Sequence, residues 1–104
     1  MVDTGKGLTF GQAIQAMKDG HRVARSGWNG KGMWVAMSPA STFLPEHAKP
    51  GHAAYHVAQE KPNEPVRLCA HIDMKAADGS LVIGWLASQT DMLADDWLVI
   101  EQQA

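Results

Sequence analysis

All five prolines of this 104-residue chain lie between positions 39 and 65, and they constrain how the chain can fold. Proline fixes its own φ and lacks a backbone donor, so it interrupts helices and strands. No regular spacing of apolar residues continues through this stretch. Regular elements are therefore expected before residue 39 and after residue 66. We predict a single domain over residues 1–104 with a long irregular insertion at about 39–66.

The part before the prolines predicts a helix. Apolar residues recur at helical spacing from Phe10 to Met17, and Thr9 with Gln12 has the spacing of a capping box. A short amphipathic helix is expected over about 10–19.

Two strands are expected after this helix, over residues 22–26 and 33–38. In the second of them Met33, Val35 and Met37 alternate with other residues, so one face is predicted to be buried and Trp34 to lie on the opposite face.

The part after the prolines predicts a hairpin. Alternation from Arg67 to Met74 indicates one strand, and Asp78-Gly79 is typical of the turn before the next strand at 81–83. A helical turn at 91–94, capped by Ser88 or Thr90, and a last strand at 98–100 complete the pattern. The predicted fold class is α+β: a small antiparallel sheet with the N-terminal helix packed on it.

A glycine-rich loop joins the first two predicted strands, at residues 25–32. Gly27, Gly30 and Gly32 permit positive φ or close backbone approach, and Trp28 offers an aromatic face. The two alternatives for this loop are a structural turn whose tryptophan fills a small core, and a ligand-binding loop at the tip of a strand pair.

Charge and hydropathy exclude several classes of protein. The formal net charge of -2 argues against binding long nucleic acid, and no apolar run is long enough to span a membrane. The first seven residues lack the pattern of a signal peptide, so a cytoplasmic location is expected. The single cysteine, Cys69, is expected to be a packed thiol. Basic residues cluster before position 32 and acidic ones at 91–96, most simply as two solvated faces.

Catalytic and metal sites are not indicated. His52 and His56 are four residues apart, with His47 nearby, but no second ligand motif accompanies them, so solvated loop histidines are expected. No serine or cysteine has a spacing that suggests a nucleophile, and Asp95-Asp96 beside a helix end is typical of solvated or capping carboxylates. We expect no metal and no cofactor.

Polar and aromatic residues from the glycine loop and from the last part of the chain form the remaining candidate site. Indoles stack on nucleobases, amide and hydroxyl groups bond base and ribose edges, and lysine or arginine binds phosphate. A nucleotide is therefore the ligand that this set suits, although Trp97 is better explained as a core residue. The candidate ligand-binding residues are Arg25, Trp28, Asn29, Lys31, Trp85, Ser88, Gln89, Thr90 and Asp91.

Two stretches of this sequence resemble a known family. The run Val23-Ala24-Arg25-Ser26-Gly27-Trp28-Asn29-Gly30-Lys31-Gly32-Met33, preceded by Phe10-Gly11-Gln12-Ala13, is similar to phage proteins of the second Thoeris anti-defence type. The run Trp85-Leu86-Ala87-Ser88-Gln89-Thr90-Asp91-Met92-Leu93-Ala94-Asp95-Asp96-Trp97 resembles the same family. Two ordered motifs in the same order are more specific than either alone.

The resemblance implies a function that composition does not show. Proteins of this family bind and sequester cyclic ADP-ribose isomers, which bacterial TIR enzymes make as immune signals, without cleaving them. Some members also take up cyclic dinucleotides, and the family assembles as homo-oligomers, with a tetramer expected here. The resemblance thus implies a non-enzymatic sponge in the host bacterial cytoplasm. The alternatives are a small phosphodiesterase that degrades such signals and a protein-interaction module.

Overall fold

The computed structural model describes residues 5–28 and 31–100. The predicted site residue Asn29 lies outside the described residues. The chain divides into two compact units, one formed by residues 1–38 with 71–104 and the other by residues 39–70. No helix in the described part of the chain is long and apolar enough to cross a membrane.

A five-stranded antiparallel sheet forms the first unit. The strands are β1 (Arg22–Arg25), β2 (Trp34–Ser38), β5 (His71–Lys75), β6 (Leu81–Val82) and β7 (Trp97–Ile100). They lie in the order β6-β5-β2-β1-β7, so the two strands that precede the prolines in the sequence lie between strands that follow them. The first hairpin pairs Val23 with Val35, and β7 pairs along the whole of β1.

Helix α1 (Phe10–Lys18) packs on one face of this sheet, against β1, β2 and β7. The capping box is present: the Gln12 backbone N–H donates to the Thr9 hydroxyl, and the Gln12 side chain accepts from the Thr9 backbone N–H. This arrangement satisfies two backbone donors that the first turn of a helix would otherwise leave unpaired. The predicted helix is confirmed.

The hydrophobic core lies between α1 and the sheet. Met17 of the helix meets Val23 and Val35 of the two central strands, and Trp97 at the start of β7 is fully buried. The predicted core position of Trp97 and the buried face of Met33, Val35 and Met37 are confirmed. Trp34 alternates with this face and lies on the opposite side of the sheet, as predicted.

The short helix α3 (Gln89–Leu93) precedes β7. It starts two residues before the helical turn predicted at 91–94. Ser88 rather than Thr90 is its cap. The outer edge of β7 is paired with the N-terminal segment, since Leu8 bridges to Trp97 and the Val99 backbone N–H donates to the Gly5 carbonyl oxygen. The predicted α+β fold class, with an antiparallel sheet and one main N-terminal helix, is confirmed.

The predicted strand from Arg67 to Met74 is wrong in one respect, because the structure divides it in two. Strand β4 (Val66–Leu68) ends before Cys69 and pairs with β3 (Ser41–Phe43), whereas β5 belongs to the large sheet. A two-residue alternation looks the same in one long strand and in two successive strands of different sheets. Cys69 lies in the break and is exposed, so the prediction of a packed thiol is also wrong.

The second unit contains regular structure within the stretch expected to be irregular. Strands β3 and β4 form a two-stranded antiparallel sheet, and a short 3-10 turn over Pro45–His47 precedes helix α2 (Ala53–Glu60). Ala58 and Val66 are its buried apolar residues among those described. Pro45 is the first residue of the 3-10 turn and the other prolines lie before or between these elements, positions where a missing backbone donor is tolerated.

Candidate functional site

Arg25, at the end of β1, holds the start of the glycine loop to the last part of the chain. Its Nη1 lies 2.8 Å from Asp91 Oδ1 and its Nε lies 2.8 Å from Asp96 Oδ1. Both ion pairs are largely shielded, with the arginine side chain only 14% exposed. One guanidinium thus neutralises two carboxylates, one on α3 and one just before β7.

Gly27 is required by the close approach of Asp96. The Gly27 backbone N–H donates to Asp96 Oδ2 over 2.8 Å, and a Cβ on Gly27 would lie 2.7 Å from the same oxygen. A side chain at this position would therefore push the carboxylate away from Arg25. Gly32, by contrast, has a φ of 75°, so the reason for glycine at that end of the loop is the backbone conformation.

Three tryptophans meet beside this ion-pair network. The Trp28 ring centroid lies 5.4 Å from that of Trp97 and 6.2 Å from that of Trp85, in both cases edge to face. The Trp28 indole N–H donates to Asp91 Oδ1 over 3.1 Å, and the Trp97 indole N–H donates to the Asp91 carbonyl oxygen over 2.9 Å. Trp28 and Trp85 stay partly exposed, so the cluster presents aromatic surface at the protein's exterior.

Asp91 is the residue on which these contacts converge. Besides Arg25 and Trp28, it accepts from the Ser88 backbone N–H, while its own backbone N–H donates to the Ser88 hydroxyl. This reciprocal pair is the capping box of α3. Gln89 and Thr90 form the exposed first turn of the same helix, where their side chains are accessible to a ligand.

The two carboxylates are held in their ionised forms. Burial disfavours the charge on Asp91, but hydrogen bonds from Arg25, Trp28 and Ser88 outweigh it and lower the pKa of this group below its ordinary value. The hydrogen bond from Arg25 is the largest cause of the lowered pKa of Asp96. The same contacts raise the pKa of Arg25.

These pKa shifts predict that the protein loses stability in acid. The pKa of each carboxylate is lower in the folded protein than in the unfolded chain, where it is near 3.8 for aspartate. Such a group stabilises the fold at pH values above its pKa in the unfolded chain. This contribution is lost as the pH falls through the lower, folded value. We expect the urea midpoint of unfolding to fall steadily once the pH drops below about 4.

The adjacent aspartates provide a matched control for this prediction. Asp96→Asn should be less stable than the parent at neutral pH and should lose less stability on acidification, because one titrating ion pair is absent. Asp95→Asn changes an exposed neighbour and should follow the parent. Parallel acid profiles of Asp96→Asn and the parent would contradict the prediction.

The structure brings together five of the predicted site residues by direct contact: Arg25, Trp28, Trp85, Ser88 and Asp91. Gln89 and Thr90 are adjacent to them on α3. Lys31 is exposed at the far end of the glycine loop and forms no ion pair with any residue of 5–28 or 31–100. The site thus consists of five residues that contact one another and of three exposed residues around them, Gln89, Thr90 and Lys31.

Sequence reasoning missed Asp96, which it assigned to solvent or to capping. The basic and acidic clusters are also not simply two solvated faces, since Arg25 joins them through Asp91 and Asp96. No local sequence signal marks this contact, because only the register of β1 and β7 places Arg25 opposite Trp97 and hence next to Asp96.

The second unit has three grooves among the described residues, and none of the predicted site residues lines the two larger ones. They have volumes of about 480 and 560 Å³ and share Thr42 and Arg67. Metal ligation has no support in the described residues, where no three histidine, cysteine, aspartate or glutamate side chains gather as ligands. The tryptophan cluster and its ion pairs are therefore the better-organised candidate site.

Comparison with known proteins places the whole of this site within one family match. The family model described as the Thoeris anti-defense 2-like domain matches residues 8–100. The chain is 36% identical over 93 residues to a protein of Bacillus phage SP01 named Thoeris anti-defense 2. That similarity covers 89% of this chain and 94% of the phage protein. The matched residues include both the glycine loop and α3.

Proposed function

The chain belongs to the Thoeris anti-defense 2-like family, and we propose that it is a phage anti-defence protein that sequesters cyclic ADP-ribose signals made by TIR enzymes. It would act in the cytoplasm of the infected bacterium, where such signals are produced. The ligand contains an adenine, two riboses and a pyrophosphate, which are groups for stacking, hydrogen bonding and charge neutralisation. The tryptophan cluster and the exposed turn of α3 supply the first two kinds of contact.

The observation that carries this proposal is the pre-ordered ion-pair network beside the exposed indoles. Arg25, Asp91 and Asp96 fix the loop and α3 relative to each other before any ligand is present. A sponge must bind tightly without turnover, and every tenfold gain in affinity requires about 1.4 kcal/mol. A site whose side chains are already immobilised loses less entropy on binding, so more of the contact energy appears as affinity.

The geometry suggests different roles for the site residues. In this proposal Trp28 and Trp85 stack on the base, and Gln89 and Thr90 bond ribose or base edges. Arg25 is surrounded by two carboxylates that would repel a phosphate, so its role in this proposal is to hold the loop. Lys31 is the exposed cation of the loop and is assigned to phosphate.

We further propose that the protein works as a homo-oligomer, a tetramer by its family resemblance. Large apolar side chains of the first unit are exposed, with Ile83 64%, Leu86 90% and Leu93 78% accessible. Apolar surface of this kind is typical of protein interfaces, and a small chain gains buried area by self-association. Light scattering should give a multiple of the monomer mass of 11.3 kDa, and a monomer at micromolar concentration would contradict this proposal.

A release experiment separates this function from its enzymatic rival. The protein is incubated with a cyclic ADP-ribose isomer at a slight excess of protein, and the free ligand is measured before and after heat denaturation. Sequestration predicts that the ligand disappears from solution and returns intact on heating. Loss of the ligand with appearance of a cleaved product would establish a phosphodiesterase instead. A protein-interaction module would leave the free ligand unchanged throughout.

A further inference from the structure

Asp73 on β5 is a buried carboxylate that has no part in the site described above. It is only 5% exposed, and it is the one buried polar residue among those that the structure describes. Its Oδ2 accepts from the Ser38 hydroxyl over 2.6 Å and lies 3.4 Å from His71 Nε2. Its Oδ1 accepts from the Gly84 backbone N–H over 3.0 Å. Burial alone would raise the pKa of Asp73, but these three contacts lower it, so the group stays ionised at neutral pH.

The contact with Gly84 lies where the hairpin of β5 and β6 departs from regular pairing. Met74 lies opposite Val82, so regular pairing would place Ile72 opposite Gly84, two residues further along each strand. Instead, the Trp85 backbone N–H donates to the Ile72 carbonyl oxygen over 2.7 Å. One extra residue is therefore inserted after β6, which is a β-bulge.

Asp73 and Gly84 together form this bulge. In regular pairing the Gly84 backbone N–H would donate to the Ile72 carbonyl oxygen, to which the Trp85 N–H donates here. The Gly84 N–H donates to the Asp73 carboxylate instead. The φ of Gly84 is 79°, a backbone conformation that glycine adopts far more readily than other residues. The carboxylate on β5 therefore fixes the backbone of the segment that follows β6.

The inserted residue determines the face of the sheet on which Trp85 lies. Side chains alternate between the two faces of a strand, so a shift of one residue moves a side chain to the other face. Opposite Ile72, Trp85 lies on the face that carries Met37 and the core beneath α1. Its ring centroid is there 6.2 Å from that of Trp28 and 6.4 Å from that of Trp97. Regular pairing would place Trp85 on the opposite face, away from both rings.

We propose that Asp73 is a positioning residue of the ligand site, which holds the bulge at Gly84 and thereby turns Trp85 toward Trp28. This inference rests on the proposed function for the identity of the ligand and for the stacking role of Trp85. Asp73 lies opposite Ala36, on the face of the sheet away from the tryptophan cluster. It therefore acts through the backbone of the bulge and does not touch the ligand.

Three substitutions separate this role from a general contribution to stability. Asp73→Val removes the acceptor of the Gly84 N–H, whereas Asp73→Asn keeps an amide oxygen that can accept from it. Ser38→Ala removes the hydroxyl that donates to the same carboxylate and leaves the contact with Gly84 in place. Asp73→Val and Ser38→Ala should both unfold at a lower urea concentration than the parent, because each deletes a largely shielded hydrogen bond.

Two measurements report the position of Trp85 rather than the stability of the fold. Nuclear Overhauser contacts between the ring protons of Trp28 and Trp85 should be lost in Asp73→Val and kept in Asp73→Asn and Ser38→Ala. Calorimetry with the cyclic ADP-ribose isomer should give about a tenfold weaker Kd for Asp73→Val and the parent Kd for the other two variants. Parent-like ring contacts or a parent Kd in folded Asp73→Val would overturn the inference.

Gly84→Pro tests the bulge without altering the buried carboxylate. Proline lacks the N–H and cannot adopt a φ of 79°, and a Cβ at this position meets no described atom within 4 Å. The same loss of ring contacts and of affinity is expected, and parent values would overturn the inference even if Asp73→Val did not fold. If the parent bound no cyclic ligand, the proposed function would fail, and the ring contacts would still decide whether Asp73 positions Trp85.

Discussion

Replacing Arg25 with alanine is expected to lower the free energy of unfolding by about 2 to 4 kcal/mol. The substitution leaves Asp91 and Asp96 without their shared counter-ion in a largely shielded position. Fully buried pairs lose about 3 to 5 kcal/mol when one partner is removed, and the partial exposure of Asp96 reduces the effect here. Small domains are stable by only about 5 to 15 kcal/mol, so the urea midpoint should move markedly.

Two further variants show whether geometry or charge is responsible. Arg25→Lys keeps the charge but cannot donate to both carboxylates in the same planar arrangement, and an intermediate loss is expected. Arg67→Ala removes an exposed arginine from the second unit and should unfold like the parent. A urea midpoint of Arg25→Ala equal to that of the parent would show that these ion pairs do not stabilise the fold.

Replacing Trp28 with alanine is expected to weaken binding of the cyclic ADP-ribose isomer about ten- to a hundredfold. Stacking of a base on an aromatic side chain contributes about 1 to 3 kcal/mol, and the substitution also removes an indole donor from Asp91. Some loss of stability should accompany it, because Trp28 packs against Trp85 and Trp97. Calorimetry on protein shown to be folded by its circular dichroism measures the effect.

The companion variant Trp28→Phe distinguishes stacking from bracing. Phenylalanine retains an aromatic face but cannot donate to Asp91 Oδ1. If the indole stacks on the ligand, Trp28→Phe should retain most of the affinity. If both variants bound the ligand as tightly as the parent, Trp28 would have no direct role. A loss as large in Trp28→Phe as in Trp28→Ala would identify the hydrogen bond to Asp91 as its main contribution.

Much of the first unit could be predicted because its signals are local. Thr9 and Gln12 are three residues apart and form the capping box of α1, and the alternation around Val35 records which face of β2 is buried. Trp97 was recognisable as a core residue from the apolar strand that follows it. In each case a spacing of a few residues determines both the element and its buried face.

Other features depend on contacts between distant positions. Arg25 and Asp96 are 71 residues apart, and only the pairing of β1 with β7 brings them together. Their ion pair changes the interpretation of Arg25 from a cation for phosphate to a structural support. The break at Cys69 has no local signal, because the alternation continues across it.

Calorimetric titration of the purified parent protein with a cyclic ADP-ribose isomer shows whether the protein sequesters this ligand. We expect saturable binding with a Kd well below micromolar, since a sponge acts without turnover and must hold its ligand against a receptor. The titrated ligand should be recovered intact by mass spectrometry after the protein is denatured. Absence of binding heat, together with an unchanged unfolding temperature at a large excess of ligand, would contradict the account.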